Sequence, residues 1–269
     1  MPLSKAKDPS ITFLNKYGYN VVKLPRTGVE PMDVVGLDET TLNLGNIGKI
    51  WTSTVAQPAP GPARPTAAVN GMRTDALDVS FGLDILANAL AAFGATAPSL
   101  NAAYQSAHTV NFAYTNVTTT SVSPFDAGSY LASGTLQTEN PQVTNYFFNE
   151  KAQAYLILDV LKSDSITMTA TDSHGATAGV DVPAIQAVVG ANVKVKSSNA
   201  SNSEITFTGP AALTFGFSVQ QIARVGDKWT LHGATPSGSI AFAVPVVKPA
   251  GAPDPTIFDT GKFDCRVSI

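Results

Sequence analysis

Residues able to perform acid–base chemistry are few in this sequence. Asp172 and His174 lie two positions apart in a turn rich in threonine, serine and glycine, and this pair best fits a general base with its partner. A histidine in such a turn is more often solvent-exposed than catalytic, because a general base also needs a pocket and a positioned substrate. The sequence therefore favours an exposed turn over a catalytic pair.

Cysteine and metal chemistry are equally sparse. Cys265, the one cysteine, excludes an intramolecular disulfide and a cysteine-rich zinc site. Arg266 is its one cationic neighbour in sequence, so a packed residue is favoured over a nucleophile. His108, His174 and His232 are too scattered to suggest a pair of metal ligands. We therefore predict no catalytic, cofactor-binding or metal-binding residues, and no cofactor.

The signature motifs of common enzyme classes are also missing from the sequence. It contains no G-x-S-x-G nucleophile elbow, no G-x-G-x-x-G dinucleotide turn, no phosphate loop and no H-E-x-x-H zinc motif. We expect a protein that is not an enzyme, and we keep an enzyme with an unrecognised site as an alternative.

Composition and charge bound the class of protein. A length of 269 residues, 44% of them apolar, suits one domain with a buried core and a tail. The net charge of −3 argues against both a disordered chain and a nucleic-acid partner. There is no signal-peptide pattern and no apolar run of about 18 residues. We expect a soluble cytoplasmic protein.

Basic residues concentrate at the N-terminal end of the sequence. Residues 8–18 predict a short helix with an N-cap, a proline in its first turn and a glycine stop, and residues 19–24 predict a strand that Pro25 closes. A solvated face is the commoner interpretation of such a basic run, and a surface for anionic lipid is the alternative. The basic residues are Lys5, Lys7, Lys16, Lys23 and Arg26, against Asp8 alone.

The first half of the chain contains two segments with period-two alternation. Residues 77–85 and 109–115 alternate apolar with polar or small side chains, which predicts two half-buried strands. Between them, residues 86–100 are apolar enough for a buried helix or turn. The proline-rich residues 57–66 predict a loop, and we expect helix or strand to return only after Gly71.

The second half predicts further strands around one helix. Residues 155–161 form an apolar run, and alternation follows at residues 166–171, 193–195, 205–207 and 213–219. Residues 182–190 predict a short helix with a proline in its first turn and a glycine at its end. This order predicts an α+β fold: a twisted, mostly antiparallel central sheet with short surrounding helices.

The C-terminal end has the form of a linker and a removable tail. A strand-like run at residues 240–246 precedes residues 248–255, which contain three prolines and predict an extended, exposed linker. We therefore divide the chain into a domain at residues 1–247 and a tail at residues 248–269. The tail carries five apolar residues that suit docking on the main body: Ile257, Phe258, Phe263, Val267 and Ile269.

Three segments resemble the pore-forming N-terminal domain of gasdermins, and the bacterial gasdermins in particular. They are FLNKYGYNVVKLPR at residues 13–26, YLILDVLKS at 155–163 and EITFTGPAALTFGFSVQQI at 204–222, which looks like the family's strand, Gly-Pro turn and following strand. The resemblance covers residues 13–231. Bacterial members tend to carry an acylated cysteine near the N-terminus, which Pro2, Leu3 and Ser4 do not supply.

The resemblance implies a pore-forming cell-death effector, cytoplasmic while a C-terminal peptide inhibits it. An activating protease, caspase-like or similar, would remove the peptide. The chain would then form a homo-oligomer in the inner membrane, with two β-hairpins per subunit completing a large β-barrel, in bacterial cell death and anti-phage defence. The alternative is a β-rich structural or adhesive module that oligomerises without proteolysis.

The resemblance also assigns roles to residues. Hairpins would form from residues 74–120 and 154–207, and the basic N-terminal residues would meet anionic headgroups. The lipid-face candidates are Leu77, Val79, Phe81, Val110, Phe112, Ile166 and Met168, which would equally suit the core of a sheet. The cleavage region comprises Lys248, Ala250, Gly251, Ala252 and Asp254.

Overall fold

Strands dominate the described part of the chain. A computed structural model describes Leu14 and residues 18–37, 41–67, 69–74, 76–95, 100–149 and 152–232. The strands are β1 (Asn20–Arg26), β2 (Asp33–Leu37), β3 (Thr41–Asn46), β4 (Trp51–Ser53), β5 (Arg64–Pro65), β6 (Leu77–Asp78), β7 (Thr109–Thr115), β8 (Thr118–Ser121), β9 (Gly134–Leu136), β10 (Gln153–Thr171), β11 (Lys194–Ser197), β12 (Glu204–Val225) and β13 (Lys228–His232). The helices are α1 (Val79–Ala92), α2 (Pro124–Ala132), α3 (Pro141–Phe148) and α4 (Val182–Val189), with 3-10 turns at Ile47–Lys49 and Asn101–Tyr104.

Two long strands organise the sheet. β10 has 19 residues and β12 has 22, and they pair antiparallel from Ala154 opposite Ile222 to Thr169 opposite Glu204. Strands β2, β7 and β8 add to β10, whereas β1, β11 and β13 add to β12, all antiparallel. The predicted α+β class with a mostly antiparallel sheet is confirmed. The apolar runs predicted as separate strands join into single long ones.

The sheet has two parts, which we define by their strands. The distal half contains β6, β7, β11, residues 165–171 of β10 and residues 204–208 of β12. The proximal half contains β1–β3, β8, β13, residues 153–163 of β10 and residues 213–225 of β12. The largest apolar cluster lies in the distal half beneath α1 and α4, and three smaller clusters lie in the proximal half.

The strand predicted at residues 77–85 is wrong. Only Leu77 and Asp78 form a strand, and Val79 and Phe81 lie in the first turn of α1. The Asp78 carboxylate accepts a hydrogen bond from the Ser80 amide, which caps the helix, and apolar residues continue at helical spacing beyond residue 85. The sequence satisfies both periods, and packing on the distal half selects the helix.

The expectation that helix or strand returns only after Gly71 is also wrong. β2 and β3 pair with each other, and β2 adds to the edge of β10. Strands this short carry a weak periodic signal and depend on the neighbour with which they pair. Residues 57–66 form the predicted loop apart from β5, and β1 continues through Pro25, which an edge strand tolerates.

Three α-helices shorter than α1 have their full bounds within the described part of the chain. The helix predicted at residues 182–190 is confirmed as α4, which Asp181 caps through the Ala184 amide and which Gly190 ends with a φ of 76°. α2 and α3 were not predicted, although Ser123 followed by Pro124 is a helix-start signal. The strand expected at residues 240–246 lies outside the described residues, as does most of the helix expected at residues 8–18.

Candidate functional site

Each of the two predicted hairpin segments folds as strands joined through a helix. Residues 74–120 contain β6, α1, β7 and most of β8, and residues 154–207 contain most of β10, α4, β11 and the start of β12. Both helices pack on the distal half, where α1 contacts β7 and β12 and also reaches β1. The structure therefore brings the two segments together on one part of the sheet.

One face of the distal half is apolar. Phe112 lies opposite Met168 in the β7–β10 ladder, and Val110 lies opposite both Ala170 of β10 and Leu77 of β6. These side chains are all buried, and Ile166 is buried with them. Val79 packs against this cluster from α1, whereas Phe81 on the same helix remains 43% exposed. All seven lipid-face candidates are therefore on the apolar face or on its covering helix.

Hydroxyl groups line the opposite face of the distal half. The Oγ1 atoms of Thr167 and Thr206 lie 2.9 Å apart across the β10–β12 ladder. The Thr109 and Thr171 Oγ1 atoms lie 2.5 Å apart across the β7–β10 ladder. Glu204 forms an ion pair with Arg73 at the edge of this hydroxyl face. The distal half therefore has one apolar face and one face of small polar side chains.

Two glycines allow α1 to sit close to the sheet. A Cβ atom on Gly82 would lie 2.2 Å from Cγ2 of Val110, inside van der Waals contact. A Cβ atom on Gly209 of β12 would lie 2.0 Å from Cδ1 of Phe93, the residue that ends α1. The apolar face is thus covered by a helix whose close packing requires glycine, which has no side chain, at these two positions.

Comparison with known proteins identifies the family. The model of the Bacterial Gasdermin Family matches residues 22–234. The chain belongs to this family. It is 37% identical to a gasdermin of Vitiosangium sp. over 94% of this chain and 95% of that protein. It is 31% identical to a gasdermin of Lysobacter enzymogenes over 94% of this chain and 93% of that protein.

A solved structure has the same fold. The bacterial gasdermin from Bradyrhizobium tropiciagri superposes with a TM-score of 0.63 at 16% sequence identity, over 84% of this chain and 91% of that one. At this identity the likeness concerns the fold alone. The predicted membership of the bacterial gasdermins is therefore confirmed by sequence, and the predicted fold is confirmed by structure.

Of the five basic residues predicted to form a surface, the structure describes one side chain, that of Arg26. Arg26 ends β1 and is exposed, and Lys23 lies in β1 with a side chain outside the described part. Lys5, Lys7 and Lys16 lie outside the described residues, as do the whole predicted cleavage region and the tail. These assignments stay predictions.

Asp172 and His174 form a turn. The Asp172 carboxylate accepts hydrogen bonds from the backbone amides of His174, at 2.8 Å, and Ala176, at 2.9 Å. The carboxylate therefore closes the turn after β10 instead of orienting an imidazole. Within the described residues, no three His, Cys, Asp or Glu side chains are placed to hold a metal ion. The same residues include no helix long and apolar enough to cross a bilayer.

One buried carboxyl group lies in the proximal half. Burial raises the pKa of Asp33 in β2, and the Glu30 amide, which donates to its Oδ2 at 3.1 Å, opposes the rise. The bond closes the tight turn before β2. The role that its contacts support is structural.

One buried hydroxyl group packs against the distal half. Tyr104 packs in the largest apolar cluster, and its hydroxyl has no hydrogen-bond partner among the described residues. We expect Tyr104→Phe to raise the free energy of unfolding by about 1–2 kcal/mol, because the substitution removes an unsatisfied polar atom. Urea unfolding measures the change. Tyr130→Phe is the control, since the Tyr130 hydroxyl donates to the Trp51 carbonyl and its removal is expected to lower stability.

Proposed function

We propose that the chain is a pore-forming cell-death effector that proteolysis activates. A short C-terminal peptide, residues 248–269, would hold the domain at residues 1–247 inactive. The family supports pore formation in general. The observation that carries the proposal is the double pattern of residues 77–85, which fold largely as helix α1 although their side chains alternate like a barrel strand.

The refolding step follows from this double pattern. When α1 and α4 leave the apolar face, their residues extend the strands on either side, so that residues 74–120 and 154–207 become long hairpins. In lipid every backbone amide and carbonyl needs a partner, and neighbouring hairpins in a closed barrel supply one. The apolar face then meets lipid, and the hydroxyl face lines the lumen.

The basic N-terminal residues provide the first contact with the membrane in this proposal. Each lysine or arginine near an anionic surface contributes about 1 kcal/mol, so that several hold a monomer where one does not. Lys5, Lys7, Lys16, Lys23 and Arg26 would act together. The inactive chain would be cytoplasmic, and the assembled homo-oligomer would lie in the inner membrane.

The activation step is assigned to the linker. Lys248, Ala250, Gly251, Ala252 and Asp254 form its cleavable part, because a proline disfavours cutting at its own bond. A caspase-like or similar protease would cut there, in bacterial cell death during defence against phage. The proposal requires no cofactor.

Dye release from liposomes of bacterial-type lipid tests this function. A protease site is introduced between Lys248 and Pro255, and the control variant carries a scrambled, uncuttable site of the same length. We expect release only from the cut chain, because the tail must leave before the hairpins can form. If no dye is released after complete loss of the tail, the proposal is contradicted and the β-rich module is favoured. That alternative predicts a stable oligomer without proteolysis.

A further inference from the structure

Three adjacent strands lose their regular pairing at the same level of the sheet. β7 ends at Thr115 opposite Ser165, and β8 begins at Thr118 opposite Lys162, in one continuous register on β10. Between them the backbone of Asn116 is left-handed, with a φ of 55°. One extended strand would fit this register, but the left-handed residue interrupts it.

The third strand carries extra residues at this level. Thr208 lies opposite Ser165 and Leu213 opposite Ser163, so four residues of β12 face Asp164 alone. These residues, 209–212, include Pro210, which has no amide hydrogen for a ladder bond. Extra residues on one strand bend it and increase its twist. The break therefore runs through β7–β8, β10 and β12 together.

Side chains hold the break in place. The buried Ser163 hydroxyl lies 2.5 Å from the carbonyl oxygen of Thr115 and accepts a hydrogen bond of 3.0 Å from the Ser165 amide. The Asn116 side-chain amide donates to the Asp164 carboxylate at 3.1 Å. Polar contacts thus replace the missing ladder bonds, and the break is a built feature of the sheet.

The apolar clusters on the two sides of the break are separate. The cluster of the distal half extends across the line to Leu213 alone, and the other three clusters lie in the proximal half. Tyr114 packs against clusters on both sides, and its ring stacks on Phe215 with centroids 3.9 Å apart. Rotation about this line therefore disturbs this ring stack, the packing of Leu213 and the contact of α1 with β1, and it leaves the three clusters of the proximal half intact.

We infer that the line through Asn116, Ser163–Asp164 and residues 209–212 is a hinge. On activation the distal half straightens about this line, while the proximal half keeps its fold. The inference rests on the proposed pore-forming function. The backbone of Asn116 changes from left-handed to extended in this motion, so that β7 and β8 become one strand.

Two substitutions at Asn116 separate the backbone effect from the side-chain effect. Asn116→Val and Asn116→Gly both remove the bond to Asp164 at an exposed position. Valine disfavours the left-handed backbone and favours the extended one, whereas glycine accepts both. After tail removal, we expect dye release about tenfold faster for Asn116→Val than for Asn116→Gly. Equal rates overturn the hinge.

A control removes general destabilisation as an explanation. Val35 is buried in the proximal half. We expect Val35→Ala to lower the melting temperature without making dye release faster. Faster release from Val35→Ala, at a matched loss of melting temperature, would overturn the assignment to the hinge.

A distance measurement tests the hinge without substitution at Asn116. In a Cys265→Ser background, two spin labels are attached, one at Lys196 in the distal half and one at Val225 in the proximal half. The control pair carries its labels at Lys49 and Val225. All three positions are exposed. Tail removal on liposomes is expected to change the first distance and not the second. If dye is released while the distance between Lys196 and Val225 stays unchanged, the hinge is wrong and the proposed function stands. If the cut chain releases no dye, the proposed function itself is wrong.

Discussion

Phe81→Lys is expected to slow permeabilisation at least about tenfold while leaving the helical fold intact. Phe81 is 43% exposed on α1, where a lysine side chain reaches water and suits a helix. In the proposed hairpin, residue 81 faces lipid, and a lysine near the middle of the bilayer costs about 2–4 kcal/mol in every subunit. We expect an unchanged melting temperature and at least about tenfold slower dye release from the cut chain.

Asn88→Lys provides the matched control. Asn88 is also exposed on α1. Successive side chains of a strand point to opposite faces, so residue 88, seven positions after residue 81, would face the lumen of the proposed hairpin when residue 81 faces lipid. The variant is expected to release dye as the unsubstituted chain does. Similar rates for the two lysine variants would show that residues 77–85 do not meet lipid in this register.

Leu86→Ala is expected to lower stability and to speed release after tail removal. Leu86 is fully buried where α1 packs on the apolar face, so the truncation costs about 2–5 kcal/mol. That packing is lost when α1 leaves the sheet, and the substitution therefore destabilises the starting state more than the inserted one. Urea unfolding gives the first quantity, and the initial rate of dye release gives the second.

Leu156→Ala separates this effect from instability in general. Leu156 is equally buried, but it lies in a cluster of the proximal half, which the hinge leaves folded. The two variants lose similar stability, yet only Leu86→Ala is expected to release dye faster. Equal acceleration by both would mean that overall stability, and not the docking of α1, limits activation.

Local sequence patterns were sufficient for several elements. The alternation around Phe112 predicts β7, and the apolar run after Tyr155 predicts the first part of β10. Pro183 in the first turn and Gly190 at the end define α4, because each residue has a backbone preference that does not depend on distant contacts. The segments that carry the family resemblance include parts of β10 and β12, which organise the sheet.

Other elements depended on contacts far along the chain. β2 and β3 are short strands that need the edge of β10, about 120 residues later in the sequence, to complete their pairing. The break in the sheet was not predicted, although Asn116 and the Gly209–Pro210 pair both favour irregular backbone. Neither signal shows that the two places lie side by side with Ser163 between them.

Residues 77–85 show most clearly where local pattern ends and tertiary structure begins. The sequence by itself determined that their side chains alternate and are largely apolar, which suits a strand in lipid, and that their spacing also suits a helix. The tertiary structure decided for the helix, because the buried face of Leu83, Leu86 and Leu90 finds a partner on the sheet, with Gly82 close against Val110. Burial of apolar surface depends on which neighbours are present, and a single segment does not contain its neighbours.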